Sequence, residues 1–485
     1  MPNCFWTPEV LKDLLNGSWF FFPDQYGWDP GYVTVKSVKR VNPQFRGDKI
    51  NIIRRSGEIE KAFEEIKQSK KRGGCIIIRD IFESRISNLL KLNLPILLVP
   101  ENGALVDMAK HRRTAFNGSL ICVTGTAGKT SVRGMLHAIL SSKYNVLQNR
   151  HNWNFKDHVF EDLASLATDA EFVVLEVGLG QKNVRIAEIV DVLKPNISIL
   201  TSIGVGHMDA IESTASVEDE LESVFSSKIE IFNSMVNDSF AVIPSNIVMF
   251  DNVVNVLKDS VQEYETVGSQ KTDSVKLLKR EWSDEENRIL ISIDDINYSY
   301  SISAPGEHMA INSLLAVNVA KKIGMSVSES SEALKSFKSR SGRASLIKIE
   351  DCVGRKVTIF DGSRNSTPLS LKSAFDTFDE VSKGYERIAI LGEVGEFHLG
   401  ENMESYHREL ANDVRKVNFD KVFVMGNAMK FFVEEYPEAF YFENFDDLID
   451  KLLLDFKGDC YLMLKASAHM KFKVLRDTLI NRLKN

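Results

Sequence analysis

Thr124-Gly125-Thr126-Ala127-Gly128-Lys129-Thr130-Ser131 is the stretch of this chain whose residue types and spacing are best suited to chemistry. Its glycines let the backbone curl so that successive N–H groups face one point, a nest for phosphate oxygens. A helix starting at Lys129 would add the partial positive charge of its N-terminus at the same place. Lys129 can neutralise β- and γ-phosphates, and the Thr130 hydroxyl suits a magnesium ion. The position five before Gly128 is Val123 instead of the usual glycine, so the loop is a variant of the common phosphate loop. Together, residues 125–131 form a candidate site for ATP.

Such a loop works only between a strand and a helix, and both are expected here. Ser119-Leu-Ile-Cys-Val123 is a short apolar run, and Val132, Met135, Leu136, Ile139 and Leu140 recur at the spacing of one helical face. Phe172-Val-Val-Leu175 and Ile197-Ser-Ile-Leu200 read as parallel strands buried on both faces. A second strand series comprises Val357–Phe360, Ile388–Leu391, Val422–Met425 and Tyr461–Leu464. Between the two series, Ser339-Arg-Ser-Gly-Arg343 is polar, contains a glycine and reads as a hinge. The basic run Lys67–Arg72, ending in Gly73-Gly74 before Cys75–Arg79, reads as a solvated helix end, a turn and a buried strand. At 485 residues the chain is expected to form three domains, at about 1–115, 116–340 and 341–485, the last two being α/β layers with parallel sheets.

Other reactive side chains fall near strand ends, where open parallel sheets place their ligands. Glu176 ends a strand in Leu175-Glu-Val-Gly178, and His207 follows the next one in Ile203-Gly-Val-Gly-His207-Met-Asp209. A carboxylate and a neutral imidazole there are candidate magnesium ligands; the plainer alternative for His207 is a hydrogen-bonded structural role. Lys228 lies in a helical segment before Glu230, where an ordinary surface lysine is the plain reading. The acidic run Glu218-Asp-Glu220 with Glu222 reads as a solvated helix face.

The variant loop T-G-T-x-G-K-T-S resembles that of the Mur ligases, and the likeness continues through Glu176, His207, Lys228, Gly306-Glu-His308-Met-Ala-Ile-Asn312, Gly342-Arg343 and Asp361. Asn365-Ser-Thr-Pro368, Leu391-Gly-Glu-Val-Gly-Glu396 with His407, and Leu464-Lys465-Ala-Ser467 resemble the branch that adds D-alanyl-D-alanine to the cell-wall precursor. The resemblance implies a central phosphate-loop, parallel-sheet ATPase domain, a C-terminal Rossmann-like domain and an N-terminal substrate-binding domain. It implies ATP and two Mg2+ ions, with Thr130, Glu176, His207 and a carbamylated Lys228 as metal ligands. Asn312 and His308 would meet the adenine, Arg343 the γ-phosphate after domain closure, and Asp361 the ribose. Lys129, Glu176, His207, Lys228 and Arg343 would be the catalytic set.

The reaction implied is phosphoryl transfer to a carboxylate followed by attack of an amine, releasing ADP and phosphate. The partners are then a small carboxylate and an amino acid or peptide amine. Departures from the family pattern point to a substrate other than the standard precursor. No D-G-H occurs, the corresponding N-terminal stretch reads Val35-Lys-Ser-Val-Lys-Arg40, and Ala466-Ser467-Ala468-His469 stands where glycine, serine and arginine usually follow the lysine. The alternative is the orthodox cell-wall reaction. A phosphate-loop switch or kinase would need no amine, and a silent assembly partner would lack one of Lys129, Glu176, His207 or Lys228, all of which are present. A polyglutamate-forming ligase of folate metabolism is disfavoured by the Asn365 and Glu393 segments. The aromatic start, Trp19-Phe-Phe-Phe22 through Trp28, is expected to serve packing of a small domain.

Bulk composition agrees with an enzyme of small molecules. Apolar residues make up 44% and charged ones 26%, with a formal net charge of -7 spread along the chain. This argues against a nucleic-acid partner held by a basic face. Five scattered cysteines form no C-x-x-C pair, which favours a reducing compartment over a disulfide framework or zinc site. With no secretory signal and no apolar run long enough to span a bilayer, a cytoplasmic monomer is expected.

Overall fold

The computed structural model describes residues 5–22, 34–37, 49–53, 56–68, 75–149, 153–166, 169–178, 184–204, 217–236, 238–283, 285–363, 366–395, 403–455 and 458–484. His207, Asn365, Glu396, Trp28 and Arg40, all singled out above, lie outside the described residues.

Three sheets organise the chain. The first has five strands: Thr34–Ser37, Lys49–Ile53, Cys75–Arg79 and Ile96–Val99 run parallel, and Ser18–Phe21 closes one edge antiparallel. Cys75–Arg79 and Ile96–Val99 are apolar runs buried almost throughout, as parallel strands covered on both faces must be. Phe20 and Phe22 remain 42% and 41% exposed, so the aromatic start is not wholly consumed by packing.

The second sheet has nine strands. Val146–Gln148, Phe172–Glu176, Ser119–Thr124, Ile197–Leu200, Phe240–Pro244 and Glu263–Gly268 are mutually parallel, in that spatial order. Ser119–Thr124 therefore lies between strands reached by chain excursions to opposite sides, a topological switch point at which open sheets bind ligands. An extension absent from the sequence reading completes the sheet: Val275–Ser283, Glu286–Ile293 and Ile296–Ile302 form an antiparallel meander. Its second turn is Asp294-Asp295, with φ of 50° and 60°, the left-handed pair of a two-residue hairpin.

The third sheet has six strands, in the order Ser345–Glu350, Lys356–Gly362, Cys460–Lys465, Glu386–Gly392, Lys421–Met425 and Phe440–Phe442. Only Ser345–Glu350 is antiparallel. The segment Ser339–Arg343 leads from the helix Val327–Leu334 into that edge strand.

The first two sheets share a core in which Leu11, Ile50 and Ile77 pack in one cluster with Leu120, Val173 and Leu175. Hydrogen bonds from Trp6 to the Ala164 carbonyl (2.7 Å) and from Arg112 to that of Leu166 (3.1 Å) tie them further. The third sheet meets the second through the meander. Arg280 pairs with Glu380 at 2.8 Å, Glu285 pairs with Lys348, and Trp282 packs against the C-terminal core.

The helix Val217–Ile229 corrects one expectation. Glu218, Asp219 and Glu222 are exposed, but Glu220 is buried, so the acidic run is not purely a solvated face. Glu230 does not support Lys228; its carboxylate accepts from Arg185 (2.7 Å, Nε) and from the Ala187 amide (2.9 Å).

Among the described residues no helix is long and apolar enough to cross a membrane.

Candidate active site

Thr124 ends its strand, and its hydroxyl donates to the Val177 carbonyl at 2.8 Å, fixing the departure of the loop from the sheet. The loop then leans on the end of the neighbouring strand. The Thr126 amide donates to the Ser202 carbonyl at 3.0 Å, the Ala127 amide to Ser202 Oγ at 2.8 Å, and the Thr126 hydroxyl to the Gly204 carbonyl at 2.9 Å. Gly128 has φ of +86°, and a β-carbon there would sit 2.8 Å from Asn312 Oδ1. Only glycine meets both demands. The helix Lys129–Leu140 starts at once, its Val132, Met135, Leu136, Ile139 and Leu140 buried as the spacing requires.

Lys129 folds back over this loop, its ammonium donating to the carbonyls of Gly125 (2.6 Å) and Thr126 (3.2 Å). One residue on, the Thr130 hydroxyl donates to Glu176 Oε2 at 2.8 Å. Glu176 is the most elaborately held side chain of the site. Asn154 donates to its Oε1 at 2.8 Å, and Arg133 lies 3.5 Å from its Oε2. Asn149 brackets its backbone, donating to the carbonyl at 3.1 Å and accepting from the amide. Burial alone would raise the Glu176 pKa, but the charges of Lys129, Arg133 and Arg343 outweigh it and keep the carboxylate ionised.

A cavity of about 710 Å³ opens over the loop. Lys129, Glu176, His308, Asn312 and Arg343 line it, with Lys465 and the helix Pro368–Val381 forming the wall from the third sheet. The hinge arginine and the loop lysine thus face one space. Close approach at Gly306 makes this possible. It has φ of +93°, and a β-carbon would stand 2.3 Å from Thr377 Oγ1 on that helix. Burial, then the charges of Lys465 and Arg280, push the His308 pKa down to about 4, so its ring is neutral. The ratio of ADP affinities between wild type and His308→Gln is therefore expected to stay constant within about twofold from pH 5.5 to 8, read by calorimetry.

Lys228 does not line the cavity. It is fully buried, close enough for the Lys129 charge to act on it, and its Nζ has no hydrogen-bond partner among the described residues. Burial first, then that charge, hold its pKa well below the ordinary lysine value.

Asp361, the expected ribose contact, does not line the cavity. Successive strand residues face opposite sides of a sheet. Phe360 and Gly362 reach the cavity, whereas Asp361 turns away from it, fully buried among protein donors. In the Glu393 segment, His469 pairs with Glu393 Oε2 at 2.9 Å. His407 is buried; its Nε2 accepts from the Val394 amide at 3.1 Å, so its Nδ1 carries the proton shared with the Met403 carbonyl at 2.7 Å. That makes it a brace for the segment.

Sequence reasoning passed over Asn154 and Arg133, and it took Lys465 only as part of a motif, without a role. Asn154 was signalled only by an asparagine-rich stretch after a short strand. Arg133 follows Lys129 by one helical turn, the spacing that puts both on one face. Burial, then the Arg343 charge, push the Lys465 pKa down to about 7 against the opposing pull of Asp361.

The donor set fits magnesium. Glu176 and Thr130 offer hard oxygen ligands beside a phosphate nest, as an ion shared with substrate phosphates requires. Among the described residues no cluster of three or more His, Cys, Asp or Glu gathers at one point.

Comparison with known proteins agrees with this architecture. The family described as Mur ligase middle domain matches residues 123–320. UDP-N-acetylmuramoyl-tripeptide–D-alanyl-D-alanine ligase of Rickettsia prowazekii is 25% identical over 378 residues, covering 77% of this chain and 81% of that protein. The Bacillus subtilis ligase of the same name is 24% identical over 473 residues, covering 92% and 98%. The fold is that of MurF from Acinetobacter baumannii, with a TM-score of 0.80 at 18% identity over 98% of this chain and 99% of that one. It is also that of the Thermotoga maritima MurF ligase in complex with ADP, with a TM-score of 0.75 at 17% identity over 93% and 98%. Residues 123–320 match the Mur ligase middle domain, and over most of its length the chain resembles the MurF branch of the Mur ligases, which are ATP-dependent, ADP-forming carbon–nitrogen ligases.

Proposed function

We propose that this chain joins a peptide carboxylate of a nucleotide-linked cell-wall precursor to the amine of D-alanyl-D-alanine. The observation that carries the reading is the convergence of Lys129, the Thr130–Glu176 pair and Arg343 on one cavity. The expectation of a different substrate rested on the missing D-G-H, on residues 35–40 and on Ala466-Ser467-Ala468-His469. The likeness to the Bacillus relative favours the orthodox reaction instead, since its 92% coverage of this chain reaches into the first sheet.

Two balanced steps suffice. A carboxylate oxygen attacks the γ-phosphorus, the bond to the ADP oxygen breaks, and an acyl phosphate forms. The amine nitrogen then attacks the acyl carbon, the carbon–oxygen bond to phosphate breaks, and the amine proton is lost as phosphate departs. Lys129 leaves the loop carbonyls to follow the β- and γ-phosphates, while Arg343 offsets charge on the transferring group from the opposite wall. The third sheet's closure over the cavity keeps water from the acyl phosphate. Magnesium, held by Thr130 and Glu176 with His207 and a carbamylated Lys228 as further ligands, supplies charge neutralisation to the phosphates when bound.

Incubation with ATP, Mg2+, UDP-N-acetylmuramoyl-tripeptide and D-alanyl-D-alanine is expected to release ADP and phosphate in equal amounts only when both substrates are present. Release with other acid–amine pairs but not this one would return the substrate to the diverted alternative. AMP formation would remove the acyl-phosphate reading altogether.

A further inference from the structure

Asp361 occupies the last turn of the strand Lys356–Gly362, directly opposite Ser345 in the antiparallel register. Ser345 begins only two residues after Arg343, so Asp361 stands where the hinge enters the third sheet. Its oxygens are committed. Oδ2 accepts from the Gly342 amide at 2.8 Å, from Ser341 Oγ at 3.2 Å and from Arg476 NH1 at 2.6 Å. Oδ1 accepts from Ser363 Oγ at 2.6 Å and from the Ser363 amide at 3.2 Å. Burial would raise its pKa, but the Ser363 and Arg476 hydrogen bonds prevail and keep it ionised.

Arg476 comes from the final helix, Phe472–Lys484, and is itself buried. One of its nitrogens reaches both Ser341 and Asp361, while Nε and NH2 hold Asp477 at 2.9 and 2.6 Å. The turn these groups clasp needs holding. Gly342 and Ala344 flank Arg343 with φ of 83° and 56°, and a left-handed alanine is a conformation that a free chain rarely keeps. The clasp therefore decides which way the intervening guanidinium points.

We propose that Asp361, Ser341 and Arg476 form a positioning triad that aims Arg343 into the nucleotide cavity, and that Asp361 makes no contact with the nucleotide sugar. The triad acts through Arg343 alone, and the inference rests on the ligase reading only in naming the γ-phosphate as what Arg343 meets.

Equilibrium binding separates this from a ribose contact without any need for turnover. Calorimetry on the full-length protein compares ADP, 2′-deoxy-ADP and the non-hydrolysable β,γ-imido analogue of ATP. Asp361→Asn and Arg476→Lys are expected to lower the preference for the triphosphate analogue over ADP by roughly tenfold. Both should leave the ratio of ADP to 2′-deoxy-ADP affinity as in wild type. A loss of that ratio in Asp361→Asn would show a sugar contact and overturn the proposal. So would a wild-type triphosphate preference in Arg476→Lys. If Asp361→Asn fails to fold, Ser341→Ala carries the same two expectations at the milder end. Wild-type phosphate release that did not require both substrates would sink the ligase reading while leaving these ratios measurable.

Discussion

Replacing Lys129 by alanine is expected to lower kcat/KM for ATP by at least about a thousandfold, with the fold intact. The side chain is the one ammonium at the start of the loop helix, and its hydrogen bonds go to loop carbonyls that a phosphate would displace. Its loss therefore removes charge where the transferring phosphoryl group gains it, and no other described cation on this wall of the cavity sits on the loop. Alanine is a good helix former, so the helix Lys129–Leu140 should persist, and its buried apolar face is untouched. ADP release measured with both substrates, alongside thermal melts of wild type and variant, separates lost chemistry from lost structure. Arginine at this position is expected to fail nearly as badly, because its planar fork cannot fold back over the same carbonyls. Near-wild-type turnover in the alanine variant would sink the phosphate-loop assignment.

The same residue illustrates what sequence could and could not reveal. The loop, its strand and its helix were legible because their signals are local: glycines at a turn, an apolar run before it and a periodic face after it. Strand ends carrying Glu176 and Asp361 were legible as positions, but not as directions. Whether Asp361 faces the cavity depends on which side of a six-stranded sheet the final helix covers, and Arg476 lies more than a hundred residues away. Burial of Lys228 was hidden for a similar reason. Its helix carries Glu218, Asp219 and Glu222 toward solvent, so composition alone suggested a solvated element, while the tertiary packing buries Glu220 and Lys228. The meander Val275–Ile302 has alternating residues that a strand search could find. Its role in docking the third sheet through Arg280 and Trp282 could not be seen before the fold was known.

Lys228→Met is the second substitution with a large expected effect, and here stability and activity should part company. In the structure the amine is 0% exposed and has no hydrogen-bond partner among the described residues. A protonated ammonium in that place would be costly, and the nearby Lys129 charge makes it costlier, so both effects favour the neutral amine. A neutral buried amine facing a cation is suited to take up carbon dioxide: its nitrogen forms a bond to the carbon, one proton leaves, and a carbamate anion results. That exchange turns an uncompensated cation into a partner for Lys129 and a further oxygen ligand for magnesium. Methionine fills the volume without a titratable group, so the variant should melt no lower than wild type, yet lose activity by at least about a hundredfold. Wild-type enzyme kept free of carbon dioxide should lose activity as well and recover it on addition of bicarbonate. The pH dependence follows from the direction of the shift. Protonation competes with carbamate formation only below the depressed pKa, so activity should decline on acidification and show no loss from this group toward alkaline pH. Labelled carbon dioxide observed by 13C NMR tests the adduct directly. An enzyme indifferent to carbon dioxide, with Lys228→Met fully active, would make Lys228 a packed neutral lysine and leave magnesium to Thr130, Glu176 and His207.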